Sequence, residues 1–94
     1  MGPGPAPEQV IREVERLKGQ PWEEFRDRYR DSGRDLVLWF GRKRGGLTLR
    51  ALAQRVGGLD DTSVGLAVKR FEQRLLVNKK LRHLTDQVDK ALRL

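Results

Sequence analysis

The spacing of apolar residues constrains this chain more than any other feature. From Pro7 onward every strong pattern has the helical period of about 3.6 residues, and strand-type alternation appears nowhere. Val10, Ile11, Val14 and Leu17 form one stripe, and Trp22, Phe25 and Tyr29 form a second. Between them, Lys18-Gly19-Gln20-Pro21 ends one helix and starts the next, with Pro21 suited to a first helical turn. Asp31-Ser32-Gly33 reads as a turn. From Asp35 to about Lys43 the chain is apolar almost all round at Leu36 to Phe40, which predicts a helix held between neighbours. Gly45-Gly46 ends it. Thr48 suits the N-cap of a short helix carrying Leu49, Leu52, Ala53 and Val56. After the Gly57-Gly58-Leu59 turn, Asp60 or Asp61 caps a longer helix that buries Val64, Ala67, Val68, Phe71 and Leu75. Asn78 breaks it, and a last helix carries Leu81, Leu84, Val88 and Leu92 on one side. The expectation is an all-α fold of about six helices: a disordered Gly/Pro arm over residues 1–7, then one domain over 8–94.

Ninety-four residues suffice for one core and not for a second domain. The absence of cysteine excludes disulfides, thiolate metal sites and thiol catalysis, and a lone His83 excludes a histidine-rich metal cluster. The longest unbroken apolar run, Leu36 to Phe40, falls far short of a membrane span. Met1 to Pro7 has neither the basic nor the apolar region of a secretory signal. A soluble cytoplasmic protein with no cofactor and no membrane partner is therefore expected.

Charge gives the first hint of a partner. The formal net charge is +7, and it is unevenly spread: residues 1–32 hold 6 basic and 7 acidic residues, residues 33–94 hold 14 and 6. A basic domain that is not low in complexity suits a polyanion, most often nucleic acid. A soluble protein that happens to be basic is the plainer alternative.

Residues 48–72 have the arithmetic of a helix-turn-helix. Ala53 is the small residue where two helices cross, Gly57 supplies a left-handed turn, and Val64 and Ala67 supply the inner face of the second helix. Ordinary helical hairpins share this pattern. At about 100° per residue, Val64, Val68, Phe71 and Leu75 cluster in one arc. The opposite arc holds Thr62, Leu66, Lys69 and Gln73, with Gly65 and Arg70 at its edges. Such a stripe suits a major groove, with Lys69 toward the bases and Arg70 and Gln73 toward the phosphates. Leu66 either touches a thymine methyl or packs on the last helix, the second being the expectation. Arg42, Lys43 and Arg44 exceed what helix capping needs and fit phosphate contacts, whereas Lys79, Lys80 and Arg82 read as a solvated face.

The chain resembles the C-terminal DNA-binding domain of the bacterial replication initiator DnaA over residues 33–72. The likeness rests on the buried helix with its basic end, Leu47-Thr48-Leu49-Arg50-Ala51-Leu52-Ala53, Gly57-Gly58 and Asp60-Asp61-Thr62-Ser63-Val64. It is more similar still to the DnaA-like tail of REP-associated tyrosine transposases, over about residues 10–92. There Pro21-Trp22-Glu23-Glu24-Phe25, Gly33-Arg34-Asp35, Gly46-Leu47-Thr48-Leu49, Val68-Lys69-Arg70-Phe71-Glu72 and Arg74-Leu75 have counterparts. The resemblance implies a fold like that of the DnaA C-terminal domain, or more broadly the Trp repressor, reading double-stranded DNA in a bacterial, nucleoid-associated setting. It implies that Leu49, Arg50, Asp60, Asp61 and Thr62 face bases, that Arg34, Arg42 and Ser63 lie by phosphates, and that Arg26 or Arg30 reaches the minor groove.

Two departures stand out. Asp61 occupies a position usually held by histidine or an aromatic residue, and a second carboxylate there accepts only from cytosine or adenine amino groups. Ser32 stands where the tail motif has tryptophan, and the transposase nuclease domain, with its His-x-His metal pair, is missing. The main expectation is a duplex DNA-binding module. The alternative is a helical protein-interaction domain that kept the fold and lost the groove contacts. No enzymatic activity and no small-molecule substrate are expected, because His83, Glu72 and Asp86 lie on amphipathic helices without a catalytic constellation.

Overall fold

In the computed structural model, residues 6–28, 30–57 and 59–93 are described. Six α-helices follow one another, with no strand among the described residues: α1 Pro7–Lys18, α2 Trp22–Phe25, α3 Ser32–Lys43, α4 Leu49–Val56, α5 Asp61–Val77 and α6 Lys79–Leu92. The Cα radius of gyration, 12.1 Å, is that of a single packed body of this length.

The near-continuous apolar run of α3 explains its place at the centre. Leu36, Val37, Leu38 and Phe40 are all buried, because α1, α4 and α5 each pack against a different side of it. α6 lies on α1 and α5. Trp39, partly buried, meets Phe71 of α5 at 5.6 Å with the rings tilted by 43°. Trp22 and Phe25 of α2 meet edge to face at 5.1 Å and are both buried.

Local chemistry sets the boundaries. Gly19 takes the left-handed conformation (φ 68°, ψ 28°) and closes α1, its N–H donating to Glu15 O at 2.8 Å. The Asp31 carboxylate caps α3 by accepting from the N–H groups of Gly33 and Arg34 at 2.9 and 3.1 Å. Thr48 caps α4 through the Ala51 N–H at 3.1 Å. Asn78 both ends α5 and caps α6 through the Leu81 N–H at 3.0 Å.

Several expectations shift. α3 starts at Ser32, so the expected turn at Asp31-Ser32-Gly33 is the cap and first turn of a helix. Gly33 is there because α1 crosses it: a Cβ at Gly33 would lie 2.6 Å from Lys18 Cδ and 2.9 Å from Val14 Cγ1. α2 has only 4 residues, with Pro21 as its N-cap, and Tyr29 lies outside the described residues. Of the expected arm, residues 1–5 lie outside the described residues, whereas Pro7 is buried in α1 and the Ala6 N–H donates to Gln9 Oε1 at 2.9 Å. Leu66, expected on the last helix, is 59% exposed instead.

α3 and α4 approach closely at Gly41, where an added Cβ would collide with the Leu52 side chain. Leu52 is wholly buried, and close-packed interiors leave such a side chain little room to shift. Gly41→Ala is expected to cost about 1–3 kcal/mol of stability in urea unfolding. In the Gly41→Ala/Leu52→Ala double variant the two losses should be sub-additive, since each relieves the other.

Candidate nucleic-acid interface

The outer face of α5 is built from both ends of the helix. At its start, Asp60 adopts extended backbone (φ −100°, ψ 171°), and its carboxylate accepts from the Ser63 N–H at 2.7 Å. Between the two carboxylates that the sequence left open, Asp60 is thus the cap, and Asp61 is an exposed first-turn residue. The Ser63 N–H bond holds the Asp60 carboxyl below the ordinary aspartate range. Beyond it, Thr62, Leu66, Lys69 and Gln73 are all exposed along one stripe, about 17 Å long by helical rise.

On one flank α5 meets α4. The connection between them is Gly57 to Asp60, and Gly57 takes φ 74° with ψ 153°, a positive-φ state other than the left-handed helical one expected. Leu49 is partly buried against the core, and its Cδ1 would lie 3.2 Å from a Cβ placed on Gly65. This contact brings the start of α4, with exposed Arg50, beside the second turn of α5. Leu49, expected to face bases, is thus in part committed to packing between the two helices.

On the other flank lies a depression of about 230 Å³, lined by Asp27, Arg34, Leu59, Ser63, Leu66 and Arg70. Behind it sits a buried ion cluster. Asp35 is wholly buried and receives Arg70 Nε at 3.2 Å and Arg70 Nη2 at 3.0 Å, a two-pronged pair joining α3 to α5. Arg34 Nη1 is 3.8 Å from the same carboxylate and donates to Arg28 O at 3.2 Å. Burial pushes the Asp35 carboxyl above the ordinary aspartate range, against the opposing pull of Arg70 and Arg34.

These contacts redistribute the expected phosphate residues. Arg34 is only 4% exposed, so the expected phosphate contact gives way to a structural role: neutralising Asp35 and satisfying a loop carbonyl. Arg70 spends one edge of its guanidinium on Asp35 and stays partly exposed, and Ser63 is half-buried beside it. Arg42 donates to Leu47 O at 3.0 Å across the glycine turn, Lys43 pairs with Glu72 of α5 at 3.0 Å, and Arg44 is 3.9 Å from Asp89 of α6. All three are exposed, as is Arg26, which pairs with its neighbour Asp27 at 3.3 Å. Exposed pairs of this kind are worth about 0–1 kcal/mol, so a phosphate can displace the carboxylate. Arg30, the other minor-groove candidate, is exposed in a positive-φ backbone (66°). His83 is exposed on α6. Among the described residues no helix is long and apolar enough to cross a membrane, and no group of three His, Cys, Asp or Glu side chains is placed to hold a metal ion.

Sequence reasoning missed the Asp35 cluster. Its signal was Asp35 itself, a charge at the head of an otherwise apolar helix, which demands a cationic partner.

Comparison with family models, with curated proteins and with solved structures finds no match to this chain.

Asp35→Ala leaves two guanidiniums facing an emptied site and is expected to cost about 3–5 kcal/mol, read by chemical unfolding. Asp60→Ala tests the cap. Because the folded-state pKa of Asp60 is depressed, its contribution is complete above the ordinary aspartate value and disappears as pH falls through that value and then its own lower one. The melting temperatures of wild type and variant should therefore differ near neutrality and converge in acid. Asp35 runs the other way: the folded chain holds its proton more tightly, so that group's contribution declines as pH rises from the ordinary aspartate value through its own higher one.

Proposed function

We propose that this chain is a duplex DNA-binding module of helix-turn-helix type, with α5 as the helix that enters the major groove. The observation that carries this reading is the exposed stripe Thr62–Leu66–Lys69–Gln73, set beside Arg50 on one flank and Arg70 on the other. Short polar side chains near the start of such a helix allow close approach to base edges, while the surrounding cations grip phosphates. Arg42, Lys43, Arg44 and Arg26 supply further exposed cations. Leu66, projecting from the stripe, offers apolar contact to a thymine methyl. The likeness to the DnaA C-terminal domain and to the tail of REP-associated tyrosine transposases supports the same reading, and no catalytic step belongs to it.

Asp61 gives the recognition an unusual character. Its carboxylate repels phosphate and accepts from cytosine N4 or adenine N6, so a C or A opposite the start of α5 is expected in bound sites. Next to the Asp60 cap, the same carboxylate favours the second reading, a protein-interaction domain that has lost the groove contacts.

Fluorescence anisotropy on random-sequence duplexes separates the two. DNA binding should weaken steeply with salt, with a log–log slope of about −4 for roughly four to five neutralised phosphates. Lys43→Ala should weaken all duplexes alike and flatten that slope by about one, whereas substitutions at Thr62 or Lys69 should change the sequence selected from a random pool. Absent or salt-independent binding at low salt overturns the DNA reading and favours the protein-interaction one.

A further inference from the structure

The C-terminal half of α5 differs in character from its N-terminal half. Leu76 and Val77 are 77% and 85% exposed, and they continue the stripe that begins at Thr62. A helix that enters a major groove uses its first turns there, so this end stands clear of the bases. Beside Leu76 run two adjoining depressions, of about 470 and 340 Å³. Trp39, Leu75 and Leu76 wall both of them, so they form one apolar trough along α5, floored by α3 and reaching α6. Monomeric domains rarely leave large apolar side chains contiguous in this way without a partner.

The rim chooses between occupants. Lys69 lies at one end of the trough, and no carboxylate is within ion-pair distance of it among the described residues. Arg82 lines the other end, and its Nη1 donates to the carbonyls of Leu75 and Leu76 at 2.9 and 3.1 Å; these neutral acceptors leave its charge in place. Arg44 lies beside it, 3.9 Å from Asp89, and exposed Lys79 and Lys80 come just after Asn78 at the end of α5. Of the two rim acids, Glu72 is already paired with Lys43, and Asp86 sits at the Arg82 end. The trough is thus apolar along its floor and net positive around its edge. A second copy would bring the same cations against these and is disfavoured by like charge. Duplex DNA would satisfy the cations but leaves Leu76, Val77 and the Trp39 wall with nothing apolar to meet. An amphipathic helix with leucines at i, i+3, i+4 and i+7, flanked by acids, satisfies both features.

We propose that the Trp39–Leu75–Leu76 trough docks an acidic amphipathic helix of a partner protein. The site shares Lys69 and Gln73 with the stripe proposed to read DNA, but its apolar anchors Trp39, Leu75 and Leu76 lie outside that stripe, so peptide docking is tested without DNA.

The test uses the full chain without DNA and a fluorescein-labelled synthetic peptide of about 18 residues, leucine on one helical face and glutamate on the other. Its counterparts are the same peptide with lysine for glutamate, and a scrambled one. The glutamate peptide should bind saturably, and the two controls at least about tenfold more weakly. Leu76→Asp, a surface change that leaves the circular dichroism and melting temperature in place, should weaken the glutamate peptide by about tenfold or more. Lys69→Gln should weaken it by a smaller factor, and this loss should shrink in high salt. Equal binding of all three peptides, or unchanged binding to Leu76→Asp, overturns the proposal. So does a dimer in sedimentation that Leu76→Asp dissolves, since the occupant is then a second copy. Failure of the duplex titrations would leave every one of these outcomes unaffected.

Discussion

Asp35 is the point on which the arrangement of helices turns. A wholly buried carboxylate in the first turns of the most buried helix is tolerable only if cations come to it, and two do: Arg34 from the preceding position and Arg70 from the third turn of α5. The two-pronged geometry of Arg70 fixes distance and also rotation. With that edge of α5 turned inward, the stripe Thr62, Leu66, Lys69 and Gln73 must face out. Hydrophobic burial of Val64, Ala67, Val68 and Phe71 acts in the same sense but is tolerant of small rotations, so the ion cluster supplies the finer specification.

The basic character of the chain divides into two populations. Arg34 and one edge of Arg70 are committed to the interior. Arg26, Lys43 and Arg44 stand on the surface in pairs that water screens, and Arg42 clasps a carbonyl across the glycine turn. A polyanion competes for the surface population and not for the buried one. Net charge therefore overstates the cations available to a partner, and the location of each matters more than the sum.

α5 is also divided along its length. Its first turns are short, polar and flanked by carboxylates, and its last turn ends in exposed Leu76 and Val77 over an apolar trough. One continuous helix thus carries two stretches of different chemistry along its length.

Much of this was legible without coordinates. The apolar spacing of Val10 and Val14, of Leu52 and Val56, and of Val64, Val68 and Phe71 follows the helical repeat, because each side of a helix meets the same environment turn after turn. Thr48 announced a helix start, Asp60 shared that reading with Asp61, and Asn78 announced a break, because capping is a local hydrogen bond between near neighbours. What the tertiary structure alone decided were the meetings of residues far apart in the chain: Arg70 with Asp35, Lys43 with Glu72, Leu49 against Gly65, and Trp39 beside Leu76. Spacing along one helix fixes which residues share a face. Only packing decides whether that face meets a carboxylate, a neighbouring helix or solvent, and this turned Arg34 inward, drew Leu49 partly into the contact between α4 and α5, and left Leu66 exposed.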